Sequence, residues 1–115
     1  FSVMVGSEAK LLKGLENGCS GVITATCNAT SQLARKVYDD FKDNKDQLFN
    51  QKLINVRESF EKYNLISGLH TLFSLEDKIY ENLLPPLSLL NEADKKNLLQ
   101  NLKDHNFEKK SQLAA

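Results

Sequence analysis

Short apolar runs alternate with a helical stripe along the first part of the chain. Residues 1–5, Phe-Ser-Val-Met-Val, and residues 21–25, Gly-Val-Ile-Thr-Ala, are nearly all apolar, as parallel strands covered on both faces tend to be. Between them, residues 8–17 carry leucines at helical spacing, with Ser7 placed to cap the helix and Gly18 placed to end it. This order predicts a strand–helix–strand unit with parallel strands and a right-handed crossover.

Only helical patterns follow the second strand. A cap at Thr30 or Ser31 begins a helix that completes a second β/α unit, so that residues 1–44 form the first predicted domain. After Asp46, apolar residues recur every three or four positions until Asn64, which predicts an amphipathic helix. Its stripe consists of Leu48, Phe49, Leu53, Val56, Phe60 and Tyr63.

The remaining pattern predicts a helical extension over residues 45–115. A shorter helix covers residues 65–73, and Asn91 caps the last one, with an acidic residue at its third position. Two parallel strands alone would leave sheet edges open on both sides. We therefore predict the α/β class: the last two β/α units of a (β/α)₈ barrel followed by the helical extension, as a fragment of a larger barrel.

Charge and cysteine content narrow the function classes. Fifteen basic and fifteen acidic residues cancel, so no net field draws nucleic acid or an anionic membrane. No apolar run approaches the roughly 20 residues of a membrane span, and no secretory signal opens the chain. Cys19 and Cys27 lack the spacing of a zinc site and flank an extended segment too long for a disulfide. We predict a cytoplasmic protein with reduced thiols, no metal and no cofactor.

The two strand regions resemble strands seven and eight of the dihydrodipicolinate synthase and N-acetylneuraminate lyase superfamily. A strand ending in Gly6-Ser7 is followed by a helix and by Gly-Val-Ile-Thr-Ala-Thr-Cys-Asn at residues 21–28. Members of the superfamily are similar there, with Gly-Val/Ile-Ile-Ser/Thr and an Asn four positions further on. Downstream, Leu-Leu-Pro-Pro-Leu at residues 83–87 resembles the family's Arg-Pro-Pro-Leu turn, with Leu84 in the place of Arg.

The resemblance implies a class I aldolase or lyase that forms a Schiff base between a lysine and pyruvate or another 2-oxo acid. In such proteins the lysine ends strand six and a proton-shuttling tyrosine lies on strand five, so no catalytic residue is expected within this chain. Lys10 and Lys13 belong to a helix and are expected to be a solvated face, because a Schiff-base lysine needs a place at the barrel mouth. The implied partners are the missing N-terminal barrel half, a 2-oxo acid substrate and identical subunits in a tetramer.

Three candidate pocket residues follow the first strand. Gly6 either lets substrate approach the backbone or only permits a tight turn, and Ser7 either bonds a substrate hydroxyl or only caps the helix. Glu8 resembles an acidic position that some members use on substrate hydroxyls, but the helix macrodipole also favours it there.

Three more candidates follow the second strand. Ile23 resembles the residue whose main-chain carbonyl faces the reactive lysine, and Thr24 and Ala25 border the mouth. N-acetylneuraminate lyases carry Ser where Ala25 stands, and synthases acting on aspartate semialdehyde carry Gly-Asp where Gly6-Ser7 stands. These departures favour an aldolase for 2-keto-3-deoxy sugar acids or 4-hydroxy-2-oxoglutarate, and a dihydrodipicolinate synthase-like activity stays open as the alternative.

A second interpretation comes from a different class. The chain could be a stand-alone helical module without catalysis, which binds a partner protein through the stripe Leu53, Val56, Phe60 and Tyr63. This interpretation requires these side chains to be accessible on the surface.

The reading frame upstream of Phe1 tests the lyase interpretation. We expect it to continue for about 180 to 200 residues and to encode a tyrosine and a strand-end lysine, because such a barrel needs roughly 250 residues. Sequencing the gene checks this, and a start codon directly before Phe1 would contradict it.

Overall fold

The computed structural model describes residues 1–108 as an α/β unit made mostly of helices. In chain order its elements are β1 (Met4–Val5), α1 (Leu11–Glu16), β2 (Gly21–Val22), α2 (Cys27–Lys42), α3 (Asn50–Glu61), α4 (Leu65–Ser74) and α5 (Glu92–Asp104). Short 3-10 turns lie at Glu8–Lys10 and Lys78–Glu81. The predicted extension runs to residue 115, and its residues 109–115 lie outside the described part.

The strands β1 and β2 pair in parallel, as the strand–helix–strand pattern predicts. Met4 lies opposite Gly21, and Val5 opposite Val22. The Ile23 N–H donates to the Val5 carbonyl at 3.0 Å, so pairing continues just past the regular strands. Both strands are shorter than the predicted five-residue runs, because each has a single paired neighbour within the described residues.

Helix α1 packs closely on β1, and Gly14 allows this contact. A Cβ atom at Gly14 would lie 2.6 Å from Cγ1 of Val5, so a side chain there would force the helix away from the strand. Gly18 follows the helix with a φ of 90°, which is the left-handed conformation predicted for it. Ser7 caps the 3-10 turn before α1, because its hydroxyl accepts from the Ala9 N–H at 3.3 Å.

The start of α2 differs from the prediction. The helix begins at Cys27 rather than after a cap at Thr30 or Ser31. The Thr30 hydroxyl does not cap a helix; it lies inside the first turn and donates to the Glu8 carboxylate at 3.0 Å. The Thr30 hydroxyl, which the local pattern assigned to a helix cap, therefore donates to the buried Glu8 carboxylate instead.

The starts of the later helices follow the pattern better. Asn64 separates α3 from α4 and caps α4, since its side chain accepts from the N–H groups of Ile66 and Ser67. Asn91 caps α5 as predicted. Leu48, however, precedes α3 and is 78% exposed, so it does not belong to the buried stripe.

One hydrophobic cluster joins the two predicted segments, with α3 at its centre. Leu53, Val56 and Phe60 of α3 are fully buried. The cluster around them includes Leu11, Leu15, Leu33, Val37, Leu69, Leu72, Leu98 and Leu102. A partner protein could not reach these three side chains, and Tyr63, the fourth residue of the predicted stripe, is half-buried, so the interpretation of α3 as an exposed docking helix is wrong.

The strand region carries much of the chain's exposed apolar surface. Phe1, Val3, Met4 and Ile23 are 118%, 50%, 45% and 71% exposed, respectively. Exposed apolar side chains grouped in one region favour a contact site, and the open edges of β1 and β2 add unpaired backbone groups there.

The chain alone is expected to bind a hydrophobic dye and to self-associate through this strand surface. Replacing Val3 and Ile23 together by Thr should lower both signals without loss of helix, because threonine keeps the β-branched shape. Dye fluorescence, sedimentation and circular dichroism measure the three quantities.

Leu48→Thr is the matched control, because Leu48 is at least as exposed as Val3 and Ile23 but lies in the loop before α3. An equal fall in dye binding in this control, or no fall in the double variant, would contradict the prediction that the strand surface binds the dye.

Candidate functional site

A polar cluster lies where both strands end, and it is almost sealed from solvent. Glu8 comes from the turn after β1, and Thr24 and Thr26 come from the loop after β2. Thr30 lies in the first turn of α2, and Arg57 reaches in from α3. Four elements therefore converge on one carboxylate, and we call these five residues the Glu8 cluster.

The Glu8 carboxylate is fully buried and both of its oxygens are engaged. The hydroxyls of Thr26 and Thr30 donate to Oε2, the latter at 3.0 Å. Nη1 of Arg57 lies 3.2 Å from Oε1. A buried carboxylate is tolerated when it is paired and hydrogen-bonded in this way.

The Arg57 guanidinium is held from two sides. Its Nη1 donates to the hydroxyl of Thr24 at 2.6 Å and to that of Thr26 at 2.8 Å. Its Nε donates to Oε1 of Glu61, one helical turn further along α3, at 2.8 Å. The side chain of Arg57 is only 10% exposed and that of Glu8 is fully buried, whereas that of Glu61 is 45% exposed. Of the two carboxylates, Glu8 is therefore the one whose charge must be compensated inside the protein.

Arg57 and Thr30 are site residues that sequence reasoning missed, whereas Thr26 follows directly on the predicted mouth residues Thr24 and Ala25. The sequence did hold a signal for Arg57: it follows Leu53 by four positions and precedes Phe60 by three, so it lies on the apolar face of α3. An arginine on such a face requires a buried anion. Nothing in the local pattern, however, indicates that this anion is Glu8.

The predicted pocket residues lie around the same strand ends. Gly6 is exposed, and no atom lies within 4 Å of the position that a Cβ would occupy, so the space beside its backbone is unfilled. Ser7 is half-buried and caps the turn, as its structural interpretation requires. Glu8 points into the protein and joins Thr24 within the Glu8 cluster.

The residues after β2 point in different directions. The Ile23 side chain is 71% exposed and Ala25 is exposed, whereas Thr24 is half-buried and bonded to Arg57. Lys10 and Lys13 are exposed on the turn and on α1, as expected for a solvated face.

Cys27 lies beside the Glu8 cluster without belonging to it. Burial is the largest influence and raises the pKa of its thiol; a hydrogen bond with Thr30 lowers the pKa, the Glu8 charge raises it and the Arg57 charge lowers it. The thiol is therefore protonated near neutral pH and unsuited to nucleophilic attack. Both cysteines are free, as predicted, and the described residues contain no group of three potential metal ligands.

A cavity of about 430 Å³ opens between the loop after β2 and helix α4. Its lining consists of Ala25, Asn28, Ile66, Leu69, His70, Phe73 and Tyr80. Nδ1 of His70 lies 2.8 Å from the Tyr80 carbonyl. Because a carbonyl can only accept, Nδ1 carries a hydrogen and donates it to this carbonyl. The cavity is of a size that small molecules occupy.

Comparison with known proteins identifies the family. The model of the dihydrodipicolinate synthetase family matches residues 1–105, which include both strands and all five helices. The chain belongs to this family. No curated protein sequence matches it.

Solved structures of the same family share the fold. A monomeric dihydrodipicolinate synthase variant superposes with a TM-score of 0.81 at 19% identity, over 94% of this chain and 37% of that one. A dihydrodipicolinate synthase from Bacillus anthracis gives a TM-score of 0.78 at 18% identity, over 90% of this chain and 36% of that one. The prophage protein YagE of E. coli K12, solved with pyruvate, gives 0.76 at 20% identity, over 94% and 38%.

The chain thus spans little more than a third of the length of these structures. Within residues 1–108, no helix is long and apolar enough to cross a membrane.

The pairing of Glu8 with Arg57 predicts a strong energetic coupling. Glu8→Gln should lower the free energy of unfolding by about 3 kcal/mol, the lower end of the range for breaking a buried ion pair, because Arg57 then keeps only its half-exposed partner Glu61. Arg57→Met should be similarly harmful, and the double variant should lose clearly less than the sum. Denaturant unfolding followed by helical circular dichroism measures all three.

The surface pair of Arg35 and Asp39 provides the control for this cycle. Their side chains are 70% and 47% exposed, so Arg35→Met should cost less than about 1 kcal/mol. Strictly additive effects of Glu8→Gln and Arg57→Met would show that the two charges do not interact.

Proposed function

We propose that this chain is the C-terminal part of a class I lyase or aldolase that acts on pyruvate or a related 2-oxo acid through a Schiff base. The observation that carries the proposal is the family match over residues 1–105, together with structural likeness to a little more than a third of each solved dihydrodipicolinate synthase chain. The reactive lysine and the proton-shuttling tyrosine would lie upstream of Phe1.

In this proposal, β1 and β2 are strands seven and eight of a (β/α)₈ barrel. Residues 1–44 would supply the last two β/α units, and residues 45–115 would form the helical extension. The exposed apolar residues Phe1, Val3 and Ile23 support this arrangement, because the strands and side chains of the missing barrel half would cover them.

The ends of both strands would form the last wall of the substrate pocket. In barrels of this class the site lies at the carboxyl ends of the strands, where Gly6, Ser7, Ile23, Thr24 and Ala25 are found. Gly6 stands next to open space, and the cavity lined by Ala25 and His70 would extend the pocket beneath the helical extension. Glu8 would stabilise this wall from the protein interior, since both of its carboxylate oxygens are already hydrogen-bonded.

The reaction would proceed through an enamine. A lysine amine would add to the 2-oxo carbon, expel water and form an iminium ion. Loss of a proton, or cleavage of a carbon–carbon bond, would then leave the enamine, which takes up a proton or an aldehyde. This chain would contribute the shape of the pocket rather than the nucleophile. Substrates that fit the departures at Ser7 and Ala25 are 2-keto-3-deoxy sugar acids and 4-hydroxy-2-oxoglutarate.

The proposal also covers the location, the oligomeric state and the partners of the complete protein. The complete protein would be cytoplasmic and tetrameric, without a cofactor. It would have no nucleic-acid partner, since the charges of this chain cancel and nothing would draw a polyanion to it. A membrane partner is not proposed either.

Trapping with borohydride tests the function. The complete protein should gain one reduced pyruvate adduct per subunit, and peptide mapping should place it on a lysine upstream of Phe1. The 115-residue chain alone should gain none, because Lys10 and Lys13 are ordinary exposed amines on a helical face.

Two results would count against this function. A stoichiometric adduct on Lys10 or Lys13 would mean that the nucleophile had been misplaced. A complete protein that traps neither pyruvate nor another 2-oxo acid would not be a Schiff-base lyase.

A further inference from the structure

Arg57 connects the helical extension with the ends of both strands at once. It contacts Glu8 after β1 and Thr24 and Thr26 after β2 through a single nitrogen, Nη1. We propose that Arg57 is a positioning residue, which sets the loop after β2 in the shape that the substrate pocket needs. The effect on the substrate pocket rests on the proposed function, whereas the contacts of Arg57 do not depend on it.

The loop is held on both sides of Ala25. Thr24 and Thr26 bond to the same Arg57 nitrogen at 2.6 and 2.8 Å, and their hydroxyls lie 3.3 Å apart. Ala25, between them, turns outward and lines the cavity that also includes His70. Two anchors with one free residue between them fix where the loop presents Ala25 and its backbone.

The direction of the guanidinium is itself fixed. The bond from Nε to Glu61, at 2.8 Å, orients the plane from the α3 side, while Nη1 faces the three acceptors on the strand side. Nη1 carries two hydrogens, so these acceptors share them. A lysine ammonium is a point charge without this planar fork, and it could balance Glu8 without holding Thr24 and Glu61 together.

Arg57 acts through the loop and not on the substrate. Its side chain is 10% exposed, and its Nε and Nη1 are already engaged by Glu61, Glu8 and Thr24. The residues that would meet a ligand are Ala25 and, across the cavity, His70. A specificity effect of Arg57 would therefore be transmitted by the geometry of residues 24–26.

Amide exchange on the 115-residue chain tests the positioning directly. The N–H groups of Cys27, Asn28 and Ala29 donate to the carbonyls of Thr24, Ala25 and Thr26, and so report on the loop. In Arg57→Lys, which keeps the charge opposite Glu8, we expect these amides to exchange about ten to a hundred times faster. The amides of α5 should keep their rates.

Arg35→Met is the control, since Arg35 is the chain's other arginine and forms an exposed pair with Asp39. An equal rise in amide exchange rate in α5 and in the loop would mean that Arg57 only stabilises the whole fold, and would overturn the proposal. Unchanged exchange rates in the loop would also overturn it. Thr24→Val, which removes the shortest Arg57 contact and leaves the ion pair, should reproduce the local effect, and it decides the case if Arg57→Lys folds poorly.

In the complete protein, Arg57→Lys should slow borohydride trapping of pyruvate by about ten- to a hundredfold, as small displacements of a reacting site do, while Arg35→Met leaves the rate unchanged. A wild-type protein that traps nothing would refute the lyase function and leave the exchange experiment to decide on Arg57. Normal trapping in Arg57→Lys, with the wild type active, would overturn the positioning role.

Discussion

Glu8 is a carboxylate without solvent contact, and the rest of the strand-end structure is arranged around that fact. A charge in such a place is stable only if other groups replace its hydration. Two threonine hydroxyls and the Arg57 guanidinium do so. Because these groups come from the loop after β2, from α2 and from α3, compensation of one charge brings four segments to a common point.

This constraint explains features that are otherwise unrelated. Helix α2 begins early because Thr30 must reach the carboxylate, and α3 carries an arginine on its buried face beside Val56 and Phe60 because the carboxylate needs a cation. The helical extension is thereby joined to the strand ends by polar contacts as well as by the shared hydrophobic cluster. In a barrel enzyme, such a joint would transmit the position of the extension to the pocket wall.

The two sides of the strand pair differ sharply. On the helix side, α1 approaches so closely that Gly14 has no room for a side chain. Met4 and Ile23, which alternate with Val5 and Val22 along the strands, are exposed on the other side. A sheet in an α/β protein is normally covered on both faces, and in the lyase proposed above a barrel half that precedes these strands would provide this cover.

Local sequence determined the order of the elements, the parallel pairing, the caps at Ser7 and Asn91 and the left-handed residue Gly18, because caps, turns and periodicities act over a few residues. The family resemblance, too, was readable from short motifs. Only the tertiary structure decided that Glu8 faces inward and that Arg57, 49 positions away, meets it. It also decided that the stripe of α3 is core and not surface. Which charges meet, and which face is covered, depends on how distant segments pack, and no periodicity within one helix records that.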